Sequence, residues 1–193
     1  MTTQNDIIIH DDVIPIDLQK RIADFVRLPI WGYGWRSNGG QDRYSFWHAH
    51  FAGKDTKNRE SCLPDLIDNE IAAPIAALWD FLSKELLRGH VPLRVYANAH
   101  TYGVEGYVHT DSTDEENYFT TIYYAHQVWR RNWSGEIVFF SKENDDIVKA
   151  IAPRPGRLVF FPGSILHKAQ APSRECPELR ISIVIKTQLF EKI

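Results

Sequence analysis

Residues 105–124 read EGYVHTDSTDEENYFTTIYY, which sets His109 and Asp111 two positions apart in an alternating, aromatic-rich segment. On a β-strand, residues i and i+2 point to the same face, so the spacing predicts an imidazole and a carboxylate converging on one spot. Apolar side chains normally fill such a face. A lone His-x-Asp is often just a solvated polar pair, so the surrounding chain has to decide its meaning.

From Leu93 onward the chain is a succession of short β-like runs: LRVYANAHTY, YVHT, YFTTIYYAHQVW, GEIVFFS, DIVKAIAP, GRLVFFPG, ILHKAQAP and RISIVIKTQL. Turn material such as STDEEN, RRNWSG, SKENDD and PRPG separates them. About eight short strands at this spacing predict a two-sheet sandwich, jelly roll or barrel.

The first half reads differently. IDLQKRIADFVR carries Leu18, Ile22, Phe25 and Val26 at helical spacing, with Asp17 as the expected cap. PDLIDNEIAAPIAALWDFLSKELLRG repeats apolar residues at Ile71, Ile75, Leu78, Leu82 and Leu86 and stops at Gly89; Pro74 should kink it or start a second helix. Between these, WGYGWRSNGGQDRYSFWHAHFAG has no clear period. Its glycines and aromatics suit either a surface loop or a substrate wall with Arg36, Arg43 or His48 facing a cavity. The expectation is one mainly β domain, 1–193, in which 1–92 form helical and loop support with a substrate lid and 93–189 form the catalytic β core.

Composition narrows the function. With 193 residues, 44% hydrophobic and 24% charged, the chain has the profile of a soluble globular protein. A net charge of −3 offers no general attraction to nucleic acid or to an anionic membrane. No apolar run approaches the roughly 20 residues of a spanning helix, and the acidic start MTTQNDIIIHDD does not read as a secretory signal. Cys62 and Cys176 lie far apart and outside any C-x-x-C pattern, which argues against a disulfide scaffold or thiolate zinc site and fits a reducing cytoplasm.

Two further features complete the set around His109 and Asp111. His167 follows a turn in PGRLVFFPGSILHKAQAP, and in LRISIVIK the residues Arg180 and Ser182 share one face of the last strand while Ile181, Ile183 and Ile185 take the other. Two histidines and one carboxylate make a facial triad with open positions, a geometry that suits non-heme Fe(II). An arginine on a strand of a small β core needs an anionic partner. Nothing local supplies it, since the flanking residues are apolar and Glu178 is the nearest acid in sequence; an arginine beyond the second histidine can grip a carboxylate in a bidentate fork.

In order and rough spacing, His109-x-Asp111, the distal His167 and Arg180-x-Ser182 resemble the motif of the Fe(II)/2-oxoglutarate-dependent dioxygenases. TTIYYAHQVWRRNWSGEIVFF and PRPGRLVFFPGSILHKA are similar to segments of the prolyl-hydroxylase-like branch of that superfamily. The resemblance covers about half the chain, from Leu93 to Leu189. It implies a double-stranded β-helix of the jelly-roll or cupin-like kind, with Fe(II) held by His109, Asp111 and His167. It also implies 2-oxoglutarate as cosubstrate and O2 as oxidant, with Arg180, Tyr124, Asn98 and Ser182 at the cosubstrate. His100 stands where relatives more commonly carry a tyrosine, so its role stays open between substrate and cosubstrate support.

The implied activity is hydroxylation of an unactivated C–H bond in a small molecule, amino-acid derivative or peptidyl residue, proline among them, with release of succinate and CO2. An acid at position 111 favours hydroxylation over halogenation. Two rivals stand beside it: a nucleic-acid demethylase of the same superfamily, and a cupin-like metalloenzyme that does not use 2-oxoglutarate. The first lacks a basic cluster beyond Arg130 and Arg131. The second leaves Arg180 unexplained.

Overall fold

Alternation along the last strand sets the architecture. The computed structural model describes residues 6–40, 42–53, 59–144 and 146–190; the first five residues, included in the reading of the amino terminus, and Gln41 of the aromatic segment lie outside them. The elements run β1 (Ile8–His10), α1 (Ile16–Phe25), β2 (Gly32–Trp35), β3 (Phe46–Ala52), α2 (Leu63–Asp68), α3 (Ala73–Glu85) and β4 (His90–His100). They continue β5 (Tyr118–Tyr124), β6 (Ile137–Phe140), β7 (Ile147–Ile151), β8 (Leu158–Pro162), β9 (His167–Ala169) and β10 (Arg180–Leu189). Seven strands pair antiparallel in the order β1-β8-β5-β10-β4-β3-β2, and β7-β6-β9 form a smaller sheet. The fold is mainly β, a double-stranded β-helix with helices outside.

Two apolar layers follow from the period-2 pattern of β10. Ile181, Ile183 and Ile185 pack with Val95 and Ala97 of β4 against Ile22, Phe25, Ile75, Leu78 and Leu82 of the helices. Fully burying one such side chain contributes about 1.5–3 kcal/mol, so this layer fixes the register of β10. Val184 belongs to the second layer, between the sheets, with Ile122, Ile137, Phe139, Val159 and Phe161. The same inward face carries Arg180, Ser182 and Lys186, all buried.

The structure departs from the sequence reading at three places and settles the choice left open at Pro74. Asp17 does not cap α1: Pro15 occupies the cap position and no side chain bonds there, although Asp17 sits in the first turn, where its charge suits the helix dipole. Pro74 takes the second of its two expected roles and starts α3, and the Asn69 side chain accepts a bond from Ala72 N at the break. The break turns Ile71 outward to 73% exposure. YVHT is not a strand; His109 makes only an isolated bridge with His167. Finally, the aperiodic aromatic segment contains β2 and β3, which extend the larger sheet beyond β4. Its period is hidden because Trp35, Tyr33 and Trp47 pack on exposed edges while glycines interrupt the alternation.

Candidate metal and cosubstrate site

His109 and Asp111 lie in the connection between β4 and β5, and His167 opens β9. Backbone bonds bring them together. His109 and His167 exchange both N–H···O bonds, at 3.1 and 3.0 Å, and Asp111 N donates to Gly163 O at 2.7 Å. Glycine is needed at 163 because a Cβ there would lie 2.5 Å from the Tyr118 ring and 3.4 Å from Asp111 Cβ. The i, i+2 spacing thus converges as the sequence predicts, but through a bridge and a glycine contact rather than a regular strand.

Both imidazoles are held in one orientation. Nδ1 of His109 donates to Tyr107 O at 2.7 Å, and Nδ1 of His167 donates to Ile165 O at 2.8 Å. That leaves each Nε2 as an acceptor. The Nε2 atoms stand 3.4 and 3.5 Å from the Asp111 carboxylate oxygens, and the three potential ligand atoms lie within 4.8 Å of one another. Burial pushes the His167 imidazole down to about 4, so it is neutral at pH 7. Burial alone would raise the Asp111 carboxyl, but Lys186 and the two histidines hold it well below the usual range. Acceptor nitrogens facing an ionised carboxylate leave a place for a cation, and two histidines with one carboxylate suit Fe(II).

One Asp111 oxygen is already engaged. Oδ2 accepts a 2.6 Å bond from Thr120 Oγ1 and pairs with the Lys186 ammonium, which also donates to Thr120 Oγ1 at 3.1 Å. Oδ1 has neither partner. Such outer contacts orient a metal ligand and tune its basicity. The sequence reading missed Lys186 and Thr120. The signal for Lys186 was present, since it continues the Arg180, Ser182 and Val184 alternation on β10.

Arg180 is 1% exposed. Nε donates to Gly135 O at 2.5 Å, Nη2 reaches Tyr124 Oη at 3.4 Å, and Nη1 has no partner. Glu178, the nearest acid in sequence, is exposed, and among the described residues no carboxylate forms an ion pair with this guanidinium. Glu136 acts on it through its charge alone, without an ion pair or hydrogen bond, and the two histidines beside it are neutral: burial, then the Arg180 charge, lowers His126 to about 3 and His100 well below its ordinary value. A buried cation with a free donor edge calls for an anion from outside the chain.

Of the remaining sequence-predicted residues, Asn98 and Ser182 line the cavity, whereas Tyr124 is fully buried behind Arg180 and outside the lining. Ser182 sits opposite Asn98 on one side and Tyr124 on the other. Asn98 Oδ1 accepts from His48 Nδ1 at 2.9 Å, and both ring nitrogens of buried His100 lack partners. The cavity measures about 580 Å³ and contains the three potential metal ligands, Asn98, His100, Ser182 and Arg180 in its lining. Its size suits small-molecule ligands, and its donor set fits a metal with a carboxylate cosubstrate.

Of the three wall candidates, Arg36 lines this cavity, beside Trp35 and Phe46. His48 stacks on Trp35 with ring centroids 4.2 Å apart, and exposed Arg43 lies over Tyr44.

Residues 96–185 match the sequence profile of the 2OG-Fe(II) oxygenase superfamily. No curated protein matches the sequence. Among solved structures, a 2OG-Fe(II) oxygenase-family oxidoreductase from Burkholderia pseudomallei is similar with a TM-score of 0.72 at 12% identity, over 97% of this chain and 87% of that one. A Trichoplax adhaerens prolyl hydroxylase, in complex with a hypoxia inducible factor oxygen degradation domain peptide fragment, gives 0.61 at 14% identity, over 96% and 84%. A Pseudomonas putida prolyl-4-hydroxylase gives 0.59 at 15% identity, over 97% and 94%. The family implies Fe(II), 2-oxoglutarate and O2, and the donor set described above fits them. Over residues 96–185, which include His109, Asp111, His167 and Arg180, the chain matches the 2OG-Fe(II) oxygenase superfamily, and it shares the fold of the prolyl hydroxylases compared above.

Proposed function

We propose that the protein is a hydroxylase in which His109, Asp111 and His167 hold Fe(II) and Arg180 binds the distal carboxylate of 2-oxoglutarate. Ser182 and Asn98 line the cosubstrate position, and Tyr124 backs the Arg180 guanidinium. The bound iron, cosubstrate and O2 supply the oxidation, which releases succinate and CO2 and hydroxylates a C–H bond of a small molecule, amino-acid derivative or peptidyl residue. The chain acts as one domain: the β core carries the site, and residues 1–92 supply support and, through the Trp35 and Arg36 region, part of the substrate wall.

The observation that carries the reading is the free donor edge of buried Arg180 in the same cavity as the His-Asp-His group. The protein's own groups do the positioning. Tyr107 O and Ile165 O keep the Nε2 lone pairs turned inward. Thr120 and Lys186 fix one Asp111 oxygen and leave the other for the metal. Burial of Arg180 raises the value of a charge-assisted pair by excluding competing water. The net charge of −3 disfavours the demethylase reading, and Arg180 disfavours a cupin-like enzyme without 2-oxoglutarate.

The test is anaerobic titration of the Fe(II) protein with 2-oxoglutarate, followed by its visible charge-transfer absorption, and then O2-dependent succinate release across free amino acids, proline-containing peptides and natural-product-like acids. An Fe(II) protein that develops no such absorption and releases no succinate is not a 2-oxoglutarate enzyme.

A further inference from the structure

A second cation faces the cavity at the end remote from Arg180. The inward residues of β4 and β10 pair rung by rung: His100 with Arg180, Asn98 with Ser182, Tyr96 with Val184, and Arg94 with Lys186. Six residue steps lead from Arg180 to Lys186, roughly 20 Å of backbone at about 3.4 Å per residue. A five-carbon cosubstrate whose distal carboxylate is taken by Arg180 leaves the donors of Arg94 for another ligand.

The Arg94 guanidinium lies over the rings of both Trp35 and Tyr96, 4.7 Å from each centroid. These contacts hold the planar group in place and leave its donors along the edge. Its Nε is buried without a hydrogen-bond partner, and among the described residues no carboxylate forms an ion pair with it. The one acid lining the cavity, Asp111, already serves Lys186, Thr120 and the histidines. Lys186 is therefore engaged where Arg94 is not.

We propose that Arg94 anchors the substrate, and that the substrate is a small carboxylic acid. Its carboxylate takes the Arg94 edge while a C–H bond further along the molecule lies at the His-Asp-His group. This rests on the function proposed above. A planar, singly charged carboxylate matches a single guanidinium, whereas a phosphate would call for more free donors than this end supplies. The space also points to a small molecule: about 580 Å³ has to hold the cosubstrate and the substrate together, and Trp35 covers Arg94.

The test uses Zn(II)-loaded protein with 2-oxoglutarate, which is redox-inert, and saturation-transfer NMR of defined probes. These are L-proline, L-leucine, L-norleucine and 4-phenylbutyrate, each beside its primary amide, and an acetylated, amidated peptide with one internal aspartate. At least one acid should bind about tenfold or more tightly than its amide, as loss of a charge-assisted bond predicts. Arg94→Gln should erase that preference, and Arg94→Lys should keep part of it. Both variants should titrate with 2-oxoglutarate in the anaerobic Fe(II) assay as wild type does. Should Arg94→Gln lose cosubstrate binding together with its fold, Arg94→Lys and the wild-type acid–amide comparison decide the matter.

Equal binding of acid and amide, or a preference that survives in Arg94→Gln, overturns the proposal. So does the absence of any acid binding up to about 10 mM, well into the weak range, and so does Arg94-dependent binding confined to the aspartyl peptide. A wild-type protein that fails to bind 2-oxoglutarate overturns the proposed function instead; normal cosubstrate binding without acid preference overturns only the role of Arg94.

Discussion

Replacing Arg180 with Met separates what this residue does for the fold from what it does for the cosubstrate. Its side chain is 1% exposed, bonded through Nε to Gly135 O and loosely through Nη2 to Tyr124 Oη, with Nη1 unpartnered. Two charge-assisted bonds to a carboxylate, at about 1.5–3 kcal/mol each, amount to about 3–6 kcal/mol. At about 1.4 kcal/mol per tenfold, Arg180→Met should weaken 2-oxoglutarate binding by roughly 10²- to 10⁴-fold. Stability should move little or even rise in the apoprotein. Met fills similar volume and removes an uncompensated buried charge, which offsets the Gly135 carbonyl left without its donor. Arg180→Lys should bind 2-oxoglutarate with intermediate affinity, since an ammonium keeps the charge without the planar fork. Anaerobic Fe(II) titrations give the affinities and urea midpoints of apoprotein give the stabilities. Cosubstrate affinity within threefold of wild type in Arg180→Met would refute the assignment. Loss of both binding and fold would show that the arginine is structural.

Each of His109→Ala, Asp111→Ala and His167→Ala should abolish Fe(II)-dependent succinate release while far-UV circular dichroism still reports a folded β protein; near-native turnover in any one removes that residue from the ligand set. Thr120→Val deletes the 2.6 Å bond to Asp111 Oδ2 and should weaken Fe(II) binding by about 10- to 100-fold, so unchanged iron affinity would mean that Lys186 alone orients the carboxylate. Burial lowers His48 from 6.5 to about 4 and His126 from 6.5 to about 3. Above 6.5 these groups are neutral in both folded and unfolded chains; as pH falls from 6.5 toward 4 the unfolded chain takes up protons first, so their stabilisation is lost across that window. A urea midpoint that stays flat from about pH 6.5 to 4 would contradict this sign.

The site was more legible in the sequence than the way it is assembled. His109, Asp111, His167 and Arg180 are chemically conspicuous, and the isoleucines of β10 alternate so regularly that the inward face could be assigned directly. The conspicuous residues do converge, but His109 and Asp111 do so through long-range backbone bonds to His167 and Gly163. Local spacing cannot encode contacts made across about fifty residues of intervening chain. Strands β2 and β3 escaped notice for a related reason. β2 is exposed along its whole length, so no buried–exposed alternation marks it. Lys186 and Arg94 were overlooked because basic residues in strands ordinarily face solvent. Only the register places them on the inward faces of β10 and β4.

Net charge hid the electrostatics of the cavity. The chain as a whole carries −3, yet Arg36, Arg94, Arg180 and Lys186 line the cavity against the single acid Asp111. Overall charge governs steering and solubility, whereas ligand choice depends on which charges are desolvated and unpaired. By that measure the four cations are not equivalent. Lys186 is neutralised by Asp111, and Arg36 bonds Ser45 at an exposed position. Arg180 and Arg94 keep unpartnered buried nitrogens. Each such nitrogen carries a desolvation cost that folding alone does not recover, and an anion at each recovers it upon binding. On the roles proposed above, two unpartnered guanidinium groups on separate rungs of the sheet would take two carboxylates at once: one from the cosubstrate, the other from the molecule to be oxidised.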